Sequence, residues 1–234
     1  MSQRSGFGVG AVSPIIAALV LGVVAFITDI LRGLPHEVLL GLTSKGFVWA
    51  AGAVVVGLRA STARRAGITG AATLVGATVV YYSAILAFTD RWRAGIPIDG
   101  SSPVWYGLKS VIRASQFWSA ASVAVGALLG VAGWVAVSAD ARLAAWTAGA
   151  LGGVMASGGV YVLSQSLGRG PGEGWWVRPA VAALTAVASL GGAAVVAARR
   201  GGRPWGRFAA ASLVALAVCV PLWAAVSWIR NSHL

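Results

Sequence analysis

Gly67-Ile68-Thr69-Gly70-Ala71-Ala72-Thr73-Leu74-Val75-Gly76-Ala77-Thr78-Val79-Val80-Tyr81-Tyr82-Ser83-Ala84-Ile85-Leu86-Ala87-Phe88 runs for 22 residues without one charged side chain. A helix needs about 20 apolar residues to cross the hydrocarbon of a bilayer, so this stretch is long enough to span. Its small residues suit helices that pack backbone against backbone in lipid. Arginines stand just before it and an acid just after it: Arg64 and Arg65 on one side, Asp90 on the other. The rest of the chain repeats this pattern. Apolar stretches at 14–31, 39–58, 117–137, 143–163, 179–198 and 208–228 join 67–88 to give about seven spans. The fold class expected is all-α, a polytopic transmembrane helix bundle forming a single integral membrane domain over residues 1–234. The stretch at 39–58 is the irregular one, because Lys45 interrupts it and its clean apolar part, Phe47 to Leu58, could form a short or re-entrant helix.

Composition excludes the soluble alternatives. Of 234 residues, 58% are hydrophobic and 10% charged, against about 25% charged in an ordinary soluble domain. The net charge of +12 would suggest nucleic acid in a soluble protein. Here basic residues serve short membrane loops and anionic lipid, so the lipid bilayer is the expected partner and nucleic acid is not. Cys219 alone permits no internal disulfide, and with His36 and His233 it offers no metal site; no cofactor is expected. The first stretch ends in Phe26-Ile27-Thr28-Asp29 without a cleavage pattern and reads as an uncleaved span.

Loop charge orients the chain. The connections at 59–66 and 199–207 carry Arg59, Arg64, Arg65, Arg199, Arg200, Arg203 and Arg207 with no acid among them. Density of arginine in short loops places that face in the cytoplasm, hence the N-terminus inside, the C-terminus outside and the protein in the cell membrane. Five of the six acids (Asp29, Glu37, Asp90, Asp99 and Glu173) then share the outer face with most of the tryptophans; only Asp140 lies inside.

Ionisable groups near a bilayer are costly and commonly functional. An aromatic belt explains indoles at both interfaces, but not their excess on one. The alternative is an outward cavity in which carboxylates meet aromatic faces, which steady cations. Asp29, Glu37 and Asp90 are the candidate catalytic acids. Trp49, Tyr81, Tyr82, Trp118, Tyr161 and Arg32 are the candidate substrate-binding residues. Asp29 and Arg32, three apart on a helix, could also form a simple ion pair, and Glu37 could cap the following helix. Residues 104–116 carry Val104, Leu108, Val111 and Ile112 at helical spacing and read as an interfacial amphipathic helix. Gly126-x-x-x-Gly130 and Gly149-x-x-x-Gly153 read as helix-packing faces.

The segments Lys45-Gly46-Phe47-Val48-Trp49, Leu74 to Tyr82, Phe117-Trp118 and Gly126 to Gly130 together resemble a functionally uncharacterised family of small multi-pass membrane proteins from actinobacteria, over roughly residues 15–165. That resemblance implies fold and source, and no activity. The residues themselves suggest a membrane-embedded enzyme on a hydrophobic isoprenoid or lipid-like small-molecule substrate, working by the acid-initiated cyclisation of a terpene cyclase. A small-molecule transporter component and a non-catalytic accessory membrane protein are the alternatives.

Overall fold

The computed structural model describes residues 13–44, 46–90, 93, 103–166, 176–199 and 205–232. Among these residues it contains eight α-helices and no strand: α1 (Pro14–Ile30), α2 (Leu34–Thr43), α3 (Phe47–Leu58), α4 (Ala63–Phe88), α5 (Pro103–Ser138), α6 (Ala141–Ser166), α7 (Val177–Ala198) and α8 (Trp205–Ser232). Lys45, Asp99 and Glu173 fall outside the described residues.

Local chemistry starts the helices where they start. Ser13 Oγ accepts the Ile15 N–H at 3.3 Å, with Pro14 at the first helical position, where its missing N–H costs nothing. Thr62 Oγ1 accepts the Arg65 N–H ahead of α4. Asp140 Oδ1 accepts the Arg142 and Leu143 N–H groups at 2.9 and 3.0 Å and so caps α6. The Asp140 carboxyl is held below the usual carboxylate range, first by the Leu143 N–H and then by that of Arg142.

Five helices, α4 to α8, are long and apolar enough to cross a membrane. Taken as one bent unit, α2 and α3 make a sixth. With 17 residues, α1 is shorter; at 1.5 Å per residue it spans about 25 Å. The outward surface of these helices is apolar: Ile15, Val79, Leu128, Leu184 and Leu213 are each more than half exposed. This is a multi-pass, membrane-type helical protein.

Two expectations about segment boundaries are corrected. The stretch expected as one span over 39–58 is two helices that begin earlier, at Leu34, and bend by 50° across the break between Thr43 and Phe47. Gly46 sits in that break at φ +74°, a left-handed conformation that a residue with a Cβ adopts at a cost. Residues 104–116 are not a separate interfacial helix: they continue unbroken into the following span as α5. Its 36 residues give a rod of about 54 Å, well beyond the ~30 Å hydrocarbon thickness.

The helices pack in two groups. α4 lies along α5, α1 lies on α4, and α3 crosses both α4 and α5; α6 is sandwiched between α7 and α8. Small residues permit the approach. A Cβ built on Gly130 would sit 2.2 Å from the Ala66 carbonyl oxygen of α4, and one on Gly57 of α3 would sit 2.1 Å from the Gly130 oxygen. Gly130 is therefore where three backbones meet. Gly149 and Gly153 do the same for α6 against Phe208 and Ser212 of α8. Ser212 Oγ adds bonds to the Gly149 and Phe208 carbonyls at 3.0 and 2.9 Å. Both glycine motifs are packing faces.

Candidate functional site

A cavity of about 430 Å³ opens among α1, α2, α3, α4, α5 and α8. That volume is in the range of small-molecule sites. Helical periodicity assembles its walls. Ala25, Thr28 and Asp29 come from one face of α1; Leu74, Thr78, Tyr81 and Tyr82 from one face of α4; Trp118, Ala121, Ser122, Val125 and Leu129 from one face of α5. Trp49 and Ala50 enter from the first turn of α3, and Trp223 from α8. The break between α2 and α3 also reaches the cavity, through Thr43, Ser44 and Gly46.

Asp29 and Tyr81 form the polar focus. The Tyr81 hydroxyl donates to Asp29 Oδ2 at 2.5 Å, joining the end of α1 to α4. The bond is short, and it fixes the orientation of the carboxyl. The neighbouring ring of Tyr82 stands edge-on to that of Tyr81, with centroids 4.9 Å apart, so the two rings brace one another. Below them Thr78 Oγ1 donates to the Leu74 carbonyl at 2.9 Å and lies 3.0 Å from Ser122 Oγ. Since the single Thr78 hydroxyl proton is used on the carbonyl, Ser122 donates to Thr78. Thr28 Oγ1 donates to the Val24 carbonyl, and Thr43 Oγ1 to that of Leu39. These hydroxyls are spent on their own helices, so the cavity is polar at one end and apolar along most of its wall.

The cavity thus brings together Asp29, Trp49, Tyr81, Tyr82 and Trp118. Four other candidates stand elsewhere. Glu37 turns to α7, where Arg178 Nε donates to its Oε2 at 2.7 Å and Arg178 NH2 to its Oε1 at 3.1 Å. This fork bridges α2 to α7. Asp90 forms an exposed pair with Arg93 at 3.2 Å, one turn along the chain. Neither acid lines the cavity. Tyr161 is half-buried on α6 and is not part of the wall. Arg32 is exposed beyond the end of α1 and does not line the cavity. Of the three acids expected to share a cavity, Asp29 lines this one beside Tyr81, while Glu37 and Asp90 do not line it.

Several wall residues were not among the candidates. Thr78 stands three residues before Tyr81, so the i, i+3 periodicity of α4 carries its signal, whereas Thr28 stands three residues after Ala25 on the α1 face. Trp223 belongs to the outer-face group of tryptophans without being singled out as a binding residue; its indole N–H donates to Ser157 Oγ of α6 at 3.2 Å. His36 is structural, its Nδ1–H donating to the Thr28 carbonyl at 2.8 Å and so holding α2 to the end of α1. Among the described residues no three His, Cys, Asp or Glu side chains stand close enough together to hold a metal.

Comparison of the chain with family models, curated proteins and solved structures returns no match.

Proposed function

We propose that this chain holds a hydrophobic, isoprenoid- or lipid-like small molecule in the aromatic-walled cavity, and that Asp29 with Tyr81 acts on its polar or reactive end. The observation that carries this reading is that Asp29, the one carboxyl among the described lining residues, borders a cavity of about 430 Å³ whose other large walls are Trp49, Tyr82, Trp118 and Trp223. One acid with four aromatic faces suits acid-initiated cyclisation of a polyprene. The Asp29 carboxyl, in its protonated form, gives its proton to an alkene or epoxide: its O–H bond breaks, a carbon–hydrogen or oxygen–hydrogen bond forms, and the alkene π bond or an epoxide carbon–oxygen bond opens to leave a carbocation beside the Asp29 carboxylate. The resulting carbocation is steadied by ring faces while new carbon–carbon bonds form. Loss of a proton from the last cation restores the acid. Tyr81 orients the carboxyl and supplies a second hydroxyl on the path of that proton.

The protein is read as one membrane-embedded unit of seven crossings, with α1 as a short first crossing and α2 with α3 as a bent second. The N-terminus is read as cytoplasmic. Support comes from Arg59, Arg64, Arg65, Arg142, Arg199 and Arg207, which flank the helix ends at which α3 meets α4, α5 meets α6 and α7 meets α8.

A second reading, transport, is favoured by one observation: the interrupted helix pair α2–α3 meets the cavity at its break. Transporter sites are commonly built at such breaks. The test is the same protein in lipid nanodiscs, incubated with linear polyprenes and their epoxides and analysed by mass spectrometry for cyclic isomers. Asp29→Asn keeps the shape and removes the acidic proton, so it is expected to abolish turnover while leaving ligand-induced thermal stabilisation in place. Stabilisation by a polyprene without any isomer, together with its flux across proteoliposomes, would replace the enzyme reading with transport.

A further inference from the structure

The cavity is closed at the arginine-rich end and left open at its side. At that end Gly57, Gly130 and Ala66 bring α3, α4 and α5, three of the walling helices, so close that no side chain fits between their backbones. On the flank the situation is different. α5 packs on α4 and α3, and α8 packs on α6, but among the described residues α5 and α8 share no packing seam. Both nevertheless wall the cavity, α5 through Trp118 and Val125 and α8 through Trp223. Trp118 is 54% exposed and Val125 47% exposed, so neither wall residue of α5 is covered by α8. Beside Trp223 the outer surface of α8 is Leu222 and Val226, both more than half exposed. A surface of this kind on a spanning helix faces hydrocarbon.

The two rims differ in rigidity. Trp223 is tied to α6 by its bond to Ser157. Trp118 is steadied on its own helix by the edge of Phe117, with ring centroids 5.3 Å apart. The slot therefore has one fixed jamb and one that a rotamer change can swing.

We infer that the cavity is loaded sideways from the bilayer, through the slot between α5 and α8. Its ligand is then a molecule already dissolved in the membrane, with a long apolar body and one hydrogen-bonding end, and not a water-borne solute. The inference rests on the reading that a hydrophobic molecule occupies the cavity, and deepens it by naming the route and hence the ligand class.

The experiment uses the full chain in lipid nanodiscs with a fifteen-carbon isoprenyl alcohol carrying a diazirine, and peptide mass spectrometry to locate the label over time. In the unaltered protein Trp49 and Tyr82, deep in the wall, are expected to be labelled. Val125→Trp should narrow the slot and slow that labelling on the order of tenfold, while lipid-facing Leu213 is labelled as before. Trp118→Ala should widen the slot and speed it. As Trp118 is exposed, this second variant carries the test if the first does not fold. Unchanged rates in both, with Trp49 and Tyr82 still labelled, would overturn side entry and leave the occupied cavity standing. No label on Trp49 and Tyr82 in the unaltered protein at equilibrium would overturn the occupied cavity and the slot with it. A dimer that Val125→Trp dissociates would show a second copy seated in the slot, which also overturns lateral entry.

Discussion

The two ends of this bundle are built from the same helices by opposite means. At the arginine-rich end, glycine and alanine let backbones touch: Gly57, Gly130 and Ala66 leave no room for a side chain between α3, α4 and α5. At the acid-rich end the same three helices carry Trp49, Tyr81, Tyr82 and Trp118, which prop the backbones apart and enclose about 430 Å³. Helices in lipid have no hydrophobic drive toward one another, so fit decides where they close. Side-chain size along a helix, more than polarity, therefore places the hollow. Polarity then decides what the hollow can hold.

The comparison breaks first, and hardest, at Gly130. The Cβ of Gly130→Ala would meet the Ala66 carbonyl, and backbone cannot step aside as a side chain can. We expect a loss of about 1–3 kcal/mol from overpacking, with a lower thermal midpoint in detergent. Gly191 in α7 is the control, since nothing lies within 4 Å of its Cβ position. Gly191→Ala is expected to raise the midpoint, by about 0.5–1 kcal/mol of backbone entropy.

At the hollow end, Tyr81→Phe keeps the ring and removes the donor to Asp29. The bond is half-buried, and losing it takes a donor from the carboxyl, so a loss of about 1–2 kcal/mol is expected. Because the ring still props α4 from α1, ligand-free cavity volume should be unchanged in a structure of the variant. A collapsed cavity would show that the hydrogen bond, and not ring size, keeps it open.

The Glu37–Arg178 fork joins the two helix groups across the hollow end. Arg178 is 62% exposed, Glu37 31%, so Glu37→Gln is expected to cost under about 1 kcal/mol. That cost should shrink further in high salt, and a salt-independent loss would mean that the fork is shielded from solvent. Asp140 is the smallest lever. Its folded carboxyl lies below the ordinary range, so its stabilisation is present above the unfolded value, about 3.9, and is lost as pH falls through the lower folded one. Unfolding midpoints of Asp140→Ala and the unaltered chain should therefore differ at neutral pH and converge in acid.

Much of the frame was legible because apolar length and glycine spacing are local signals. The stretch 67–88 and the helix α4 differ only in that the Thr62 cap starts the helix earlier, at Ala63. The break at 44–46 was legible as an interruption at Lys45, though not as two helices beginning at Leu34. The cavity was legible in depth and not in azimuth. A bias of acids to one face gives height along the membrane normal; it is silent on which way each side chain turns. Asp29 and Glu37 share that face, yet one turns to Tyr81 and the other to Arg178, 141 residues further along the chain. Tyr161 was grouped with Tyr82 by height alone, and the packing of α6 between α7 and α8 put it outside the wall.

The Gly130 crossing has a consequence for how such a chain can change over generations. A clash with a side chain can be relieved by shrinking that side chain. Here the obstruction at Gly130 is the Ala66 carbonyl, and the obstruction at Gly57 is the carbonyl of Gly130 itself. Every residue has a carbonyl, so no second substitution can compensate, and the crossing can drift only by sliding whole helices. The aromatic walls above it border the cavity on one side and meet other side chains, which can shrink or turn, on the other. A lineage that kept the crossing could exchange Trp49, Tyr82 or Trp118 one at a time, acquiring new ligands on an unaltered frame.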